Sequence, residues 1–247
     1  MDNSLLVSLS QQLASYQSMD VIANNIANAS TPGYRREEQT FREYVEQLPP
    51  DEGNSAPQTL TFVQDGGVVR DMSEGPLRNT GSQFDLAIHG KGFFVVQTAN
   101  GERYTRNGHF QLDPSGQIVD DSGDALQGDG GAITINATDD GDIHIGADGT
   151  LSGKNGQLAK LRVAAFADET SLTKDGGSLY SAAGQPSQAT GVEIHQGMLE
   201  ESNVKPVVEI SRMVEVMRSY QAVATMTQSQ QDLMRQAIDK LGSTPSS

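Results

Sequence analysis

The chain has 247 residues, 32 acidic against 17 basic side chains and a formal net charge of −15, a balance that excludes the basic footprint of a nucleic-acid binder. Zero cysteines exclude disulfides, thiolate nucleophiles and Cys-ligated metals. An apolar fraction of 36% with 5% aromatics and no Trp suffices for a modest core in one or two domains, but not for a large aromatic-lined pocket.

Composition changes along the chain. Of 26 glycines, 24 fall between Pro49 and Ser202, and residues 49–202 carry 22 acidic but only 9 basic side chains. The ends are different material. At the N-terminus Leu6, Leu9, Leu13 and Tyr16 are spaced 3, 4, 3, and Met19, Ile22, Ile26 and Ala29 repeat that spacing one register over, which predicts a helix. Between Asn3 and Thr31 its only charge is Asp20, so it expects neighbours on several sides. Asn24, Asn25 and Asn28 crowd its last turns; buried amides of this kind fix register between helices, whereas exposed ones merely weaken a helix end. Ser30, Thr31, Pro32 and Gly33 form the turn that stops it. The Arg35, Arg36, Glu37 and Glu38 run that follows reads as solvated charge, with bridging between subunits as the less common alternative.

Residues 49–59, with three prolines, belong to an extended linker or arm over 34–80. A β domain is predicted over 81–202, with strands at 84–88, 92–98, 104–106, 110–112, 117–119, 133–135, 143–145 and 158–166. They are separated by turn sequences such as Asn100-Gly101, Asn107-Gly108 and Asp148-Gly149. Short alternating strands joined by tight turns imply an antiparallel fold.

The C-terminal segment, 203–247, carries the strongest pattern. Met213, Val216, Tyr220, Val223, Thr227, Gln230, Met234, Ala237 and Leu241 follow spacings of 3 and 4 without a break, a heptad-like seam. Val207, Ile210, Val214 and Met217 form a second row. From Val204 to Leu241 the helix would run roughly 57 Å, with Asn203 as its N-cap, Pro206 in its first turn and Gly242 at its end. Met213, Met217, Met226 and Met234 supply adaptable packing groups. The fold class is therefore α+β: long N- and C-terminal helices forming a coiled-coil-like helical domain, over 1–33 and 203–247, around a central antiparallel all-β domain.

Three stretches carry a family resemblance. The run Asp20-Val21-Ile22-Ala23-Asn24-Asn25-Ile26-Ala27-Asn28-Ala29-Ser30-Thr31-Pro32-Gly33-Tyr34-Arg35-Arg36 resembles the N-terminal signature of the bacterial flagellar rod and hook proteins, an axial family whose subunits stack into a helical tube. The run from Asp85 to Val96, followed by Tyr104 to Asp113, is similar to the β domain of the longer members. The third, Gln196 to Val204, leads into the C-terminal helix. His89 and Lys91 depart from the Asn or Asp more usual in that turn. Length points to a mid-sized member, and both the start Met1-Asp2-Asn3 and the continuation Tyr34 to Val45 resemble the proximal-rod type more than the distal-rod type.

The resemblance implies a structural subunit of the basal-body rod, polymerising through its terminal helices into the torque-transmitting shaft and export channel. Its implied partners are its own copies, the shorter proximal-rod subunits, the distal-rod protein and the flagellar type III export apparatus. It implies residence across the periplasm after export without a cleaved leader. This agrees with a chain that has no run of eighteen apolar residues and no signal-peptide pattern at its start, so no membrane insertion is expected. The residues expected to pack in assembly are Leu6, Leu9, Leu13, Tyr16, Ile22, Asn24, Asn25, Ile26 and Asn28 at one end. At the other they are Ile210, Met213, Val216, Met217, Tyr220, Val223 and Met234. Neither catalysis nor a cofactor is expected: the middle carboxylates sit in glycine turns, and His89, His109, His144 and His195 lack the i, i+4 spacing of metal ligands. Asp129-Gly130-Gly131 and Asp139 to Asp142 lack the full calcium-loop pattern. The alternatives are the distal-rod protein and a secreted β-domain adhesin, although the latter needs no helical seam at both ends.

Overall fold

The computed structural model describes residues 2–48, 58–136 and 141–242. The proline-rich core of the expected linker, Asp139 and Asp140, and the last five residues lie outside that set. The architecture is α+β, with two helices and a β-rich centre of antiparallel sheets. The chain divides into a helical unit, residues 1–27, 37–69 and 205–247, and a β unit, residues 28–36 and 70–204.

In the helical unit, α1 (Asp2–Ala27) and α2 (Pro206–Gly242) are in contact. α2 has 37 residues, about 56 Å at 1.5 Å per residue. Its N-terminus is set by the Lys205 carbonyl, which accepts from the Val208 and Glu209 amides at 2.9 and 3.1 Å. Pro206 sits in the first turn, where its missing N–H forfeits no bond. Asn203 is not the cap that its position suggests: it belongs to the β unit, where its Oδ1 accepts from the Arg36 amide at 2.7 Å and its Nδ2 donates to the Asp71 and Ser73 carbonyls at 2.8 and 3.0 Å. Three backbone partners outweigh one capping bond.

The segment expected to be a plain extended arm contains two strands, β1 (Glu37–Leu48) and β2 (Gln58–Arg70), paired as a ribbon. Thr40, Phe41, Tyr44 and Val45 give β1 the branched and aromatic content that favours a pleated strand. A two-stranded ribbon is marginal alone, and β1 lies against α1.

The β unit is built around the strand Phe93–Thr98. It pairs with Gly101–Thr105 through a tight hairpin whose loop is Ala99-Asn100, and with Ala125–Gly128 and Val163–Ala165 on its other side. The sheet order runs Thr173–Lys174, Leu179–Ser181, Gly101–Thr105, Phe93–Thr98, Ala125–Gly128, Ile118–Val119, Gln111–Leu112. Alternation splits the central strand between two cores: Phe94 and Val96 pack with Leu86, Ile88, Phe110 and Leu126, while Phe93 and Val95 pack with Tyr104, Leu172 and Tyr180. Burial on both faces explains why this strand reads as a continuous apolar run rather than an alternating one. Two further ladders join here: Glu193–Gln196 on Leu86–His89 brings Gln196 of the third signature stretch beside Leu86 of the second, and Met198–Glu200 pairs with Leu77–Asn79.

Candidate functional site

Two features stand out, one in each unit. In the helical unit they are the apolar faces. Along α2 the half-buried positions are Met213, Val216, Tyr220, Val223, Thr227, Gln230 and Met234, whereas Val207, Ile210, Val214 and Met217 are 40–77% exposed. Along α1 the sheltered positions include Ser8, Ser15, Met19, Ile22, Asn25 and Ile26, while Leu6, Leu9, Leu13 and Tyr16 are 51–59% exposed. The leucine stripe therefore faces solvent and a line of small and polar residues is covered instead.

The three asparagines go three ways. Asn24 is exposed. Asn25 is fully buried: its Nδ2 donates to the Glu37 carbonyl at 2.7 Å, its Oδ1 accepts from the Glu37 amide at 2.9 Å, and Nδ2 lies 3.5 Å from Glu209 Oε2 of α2. One side-chain amide thus mimics a strand neighbour for the first residue of β1 and also touches the buried carboxylate of the second helix. Asn28 lies beyond the helix end, where its carbonyl and Oδ1 accept from the Thr31 amide and hydroxyl. With α1 ending at Ala27, Asn28 is off the helix that carries Asn24.

In the β unit the feature is a buried charge cluster assembled from all three signature stretches. Glu200 is 0% exposed and Arg35 and Arg106 are each 2% exposed. Glu200 Oε1 accepts from Arg35 Nη1 at 2.5 Å and from the Gly75 amide at 2.9 Å, and Oε2 accepts from Arg106 Nη1 at 3.3 Å. Arg35 also donates to the Ser73 carbonyl and Arg106 to the Gly90 carbonyl, both at 2.7 Å. The Arg106 guanidinium stacks 5.2 Å from the centre of the Phe93 ring. Burial pulls the Arg106 pKa down, with the Glu200 charge opposing that fall and the Arg35 charge adding to it. Arg35, read from sequence as solvated, is therefore interior; its partner lies 165 residues away, beyond any local pattern. The available signal was that Arg35, Arg106 and Glu200 each fall inside a motif stretch.

The Pro32-Gly33 turn seats this cluster. Gly33 has φ +68°, donates its amide to the Glu200 carbonyl at 2.8 Å, and would place a Cβ 2.3 Å from the Arg106 carbonyl carbon. Only glycine fits both the left-handed backbone and that approach. At the family-atypical His89, Nδ1 meets Glu74 Oε2 at 3.1 Å and the next amide, Gly90, donates to Glu74 Oε1 at 2.6 Å. Among the described residues no three His, Asp or Glu side chains converge as metal ligands.

A chain with exposed apolar rows on both terminal helices and a glycine-turned β unit has the form of an axial assembly subunit. The comparisons with known proteins agree along its length. Residues 6–35 match the family model of the flagella basal body rod protein, residues 87–153 that of the flagellar hook protein FlgE/F/G D1 domain, and residues 195–240 that of the flagellar basal body rod FlgEFG protein C-terminal. The FlgF basal-body rod protein of Caulobacter vibrioides is 40% identical over 98% of this chain and 99% of its own. That of Mesorhizobium japonicum is 31% identical with the same coverage, and the FlgG rod protein of Bacillus subtilis is 31% identical over 90% and 92%. The chain belongs to the flagellar basal-body rod protein family and is a structural protein of that family rather than an enzyme.

Proposed function

We propose that the chain is a FlgF-type subunit of the proximal rod that polymerises through its terminal helices into the periplasm-spanning shaft and export channel. The observation that carries this is the set of exposed apolar rows on α1 and α2, a surface costly to leave in water and natural to bury between subunits. Leu6, Leu9, Leu13, Tyr16, Ile210 and Met217 form the outward contacts. Ile22, Ile26, Met213, Val216, Tyr220, Val223 and Met234 hold the two helices of one copy together as a coiled-coil-like pair, while Asn24 and Asn28 lie at the end of α1 where neighbours approach. Partners are its own copies, the shorter proximal-rod subunits and the distal-rod protein. Delivery by the flagellar type III apparatus suits a chain with no helix long and apolar enough to cross a membrane among the described residues.

Cryo-electron microscopy of basal bodies from cells expressing the chain tests this. Density beside the shorter rod subunits, with both terminal helices buried between copies, is the expected result. Density only near the hook converts the assignment to the distal type, which the FlgG relatives represent, and absence from the rod overturns it.

A further inference from the structure

Three Asn-Gly pairs lie in the β unit, at Asn100-Gly101, Asn107-Gly108 and Asn155-Gly156. Such a pair can lose ammonia spontaneously, because a glycine amide nitrogen has no adjoining Cβ to hinder its attack on the asparagine Cγ. The fold makes the three unequal. At Asn107 the side-chain Oδ1 accepts from the His109 amide at 3.0 Å, and Gly108 is buried so closely that a Cβ there would stand 1.6 Å from the Leu86 carbonyl oxygen. Neither partner can swing toward the other. Around Asn155, residues 154–157 are exposed and a Cβ on Gly156 would meet nothing within 4 Å, so that pair has room to react. Asn100 combines room with assistance. It is exposed, and no hydrogen bond holds its side-chain amide among the described residues. Arg103 Nη1 donates to the Asn100 carbonyl at 3.3 Å, and the guanidinium is itself held by the Asp175 carboxylate and the Glu102 carbonyl. The Asn100 carbonyl and the Gly101 N–H belong to one peptide group. Loss of that N–H proton makes the nitrogen nucleophilic and throws negative charge onto the carbonyl oxygen, where a fixed cation stabilises it. The Thr98 hydroxyl pins the turn from both sides, accepting from the Asn100 amide at 3.1 Å and donating to the Gly101 carbonyl at 2.8 Å.

We propose that Asn100 is a site of spontaneous deamidation promoted by Arg103. The Gly101 amide gives its proton to water, and its nitrogen bonds to Asn100 Cγ. The Cγ–Nδ2 bond then breaks, ammonia leaves with a proton taken from water, and a succinimide ring closes. A water molecule opens the ring at either carbonyl, leaving an aspartate or an isoaspartate at position 100, each with one new carboxylate. No electrons are transferred and water is the sole co-reactant. The new charge falls beside the guanidinium that promoted it. The isoaspartate product threads the side-chain methylene into the main chain of the two-residue loop Ala99-Asn100, between the strands Phe93–Thr98 and Gly101–Thr105. The mark accumulates with the age of the folded chain and does not depend on the rod reading.

The test is to age the purified full-length chain in mildly alkaline buffer and follow each asparagine by peptide mass spectrometry, which reads a gain of one mass unit. Asn100 should convert fastest and Asn155 next. Asn107 should be at least about tenfold slower than Asn100, a barrier difference of about 1.4 kcal/mol. R103M should slow Asn100 about threefold to fivefold and leave Asn155 unchanged. Loosening of the hairpin in that variant would instead speed the reaction, so the sign separates the effect of the cation from that of the fold. An Asn100 rate that is unchanged or raised in R103M overturns the assistance. Conversion of Asn107 as fast as Asn100, or none at Asn100 while Asn155 reacts, overturns the site.

Discussion

The helical unit and the β unit solve the problem of apolar surface in opposite ways. The β unit buries it: Phe93, Phe94, Val95 and Val96 are wholly inside, on both faces of one strand. The helical unit displays it, with Ile22 the one apolar side chain among its described residues that falls in the buried class. The difference teaches that exposed apolar surface is concentrated in one of them. The β unit has an expensive ionic interior, whereas the helical unit leaves rows of apolar side chains in water.

The sharpest way to break the contrast is at the ionic interior. Glu200→Ala leaves two buried guanidiniums without their carboxylate and should cost the β unit about 3–5 kcal/mol, read as a lowered denaturation midpoint in urea. Arg35→Met should cost about 1–2 kcal/mol, because Glu200 keeps Arg106 and the Gly75 amide. Equal losses in the two variants would show that the pair does not act through an orphaned charge. Gly33→Ala comes next, at about 2–3 kcal/mol, since it meets both a left-handed backbone and the Arg106 carbonyl group; a melting temperature unchanged within error would refute the close approach.

In the helical unit the two stripes of α1 should part company. Ile22→Asp puts a charge into a buried site and should cost about 2 kcal/mol or more, visible as lost helical circular dichroism on mild heating. Leu9→Asp should change monomer stability by less than about 0.5 kcal/mol yet abolish incorporation into rods; motile cells carrying it would contradict the assembly surface.

The smallest effect is on acid stability. Hydrogen bonds from Ser73, Ser115, Thr150 and Thr170 hold the carboxyls of Asp71, Asp113, Asp148 and Asp168 below their ordinary pKa. Because the folded values are depressed, their contribution is complete above the unfolded Asp value of about 3.9 and is lost as pH falls through the folded values. All four lie in the β unit, so their contribution to its unfolding midpoint should hold down to about pH 4 and decline below it. A decline that began near neutrality would point to other groups.

Much of this division is legible in the sequence, because helical and strand periodicities are local. The α2 helix covers the stretch from Met213 to Met234 that its spacing marks as helical, and the central strand lies where four consecutive apolar residues announce it. What periodicity cannot decide is which of two equally spaced stripes on α1 is covered; there the Ser8, Ser15 and Ile22 line is sheltered over the leucines because small side chains let a helix approach. Nor can spacing reveal that residues 28–36 leave the helical unit, or that Asn203 serves backbone groups more than a hundred residues distant in sequence rather than the helix beside it. Those facts depend on partners that only the folded chain brings near.

The distance along the chain between Arg35 and Glu200 also sets a clock. The β unit cannot close its interior until the strand Met198–Glu200 exists to receive Arg35 and the Gly33 amide. At ribosomal speeds of about 5–20 residues per second, the 165 residues between them take roughly 8–33 s to synthesise. For that interval the nascent polypeptide lacks a contact that locks one of its long-range closures, whose loop is among the slowest kind to form.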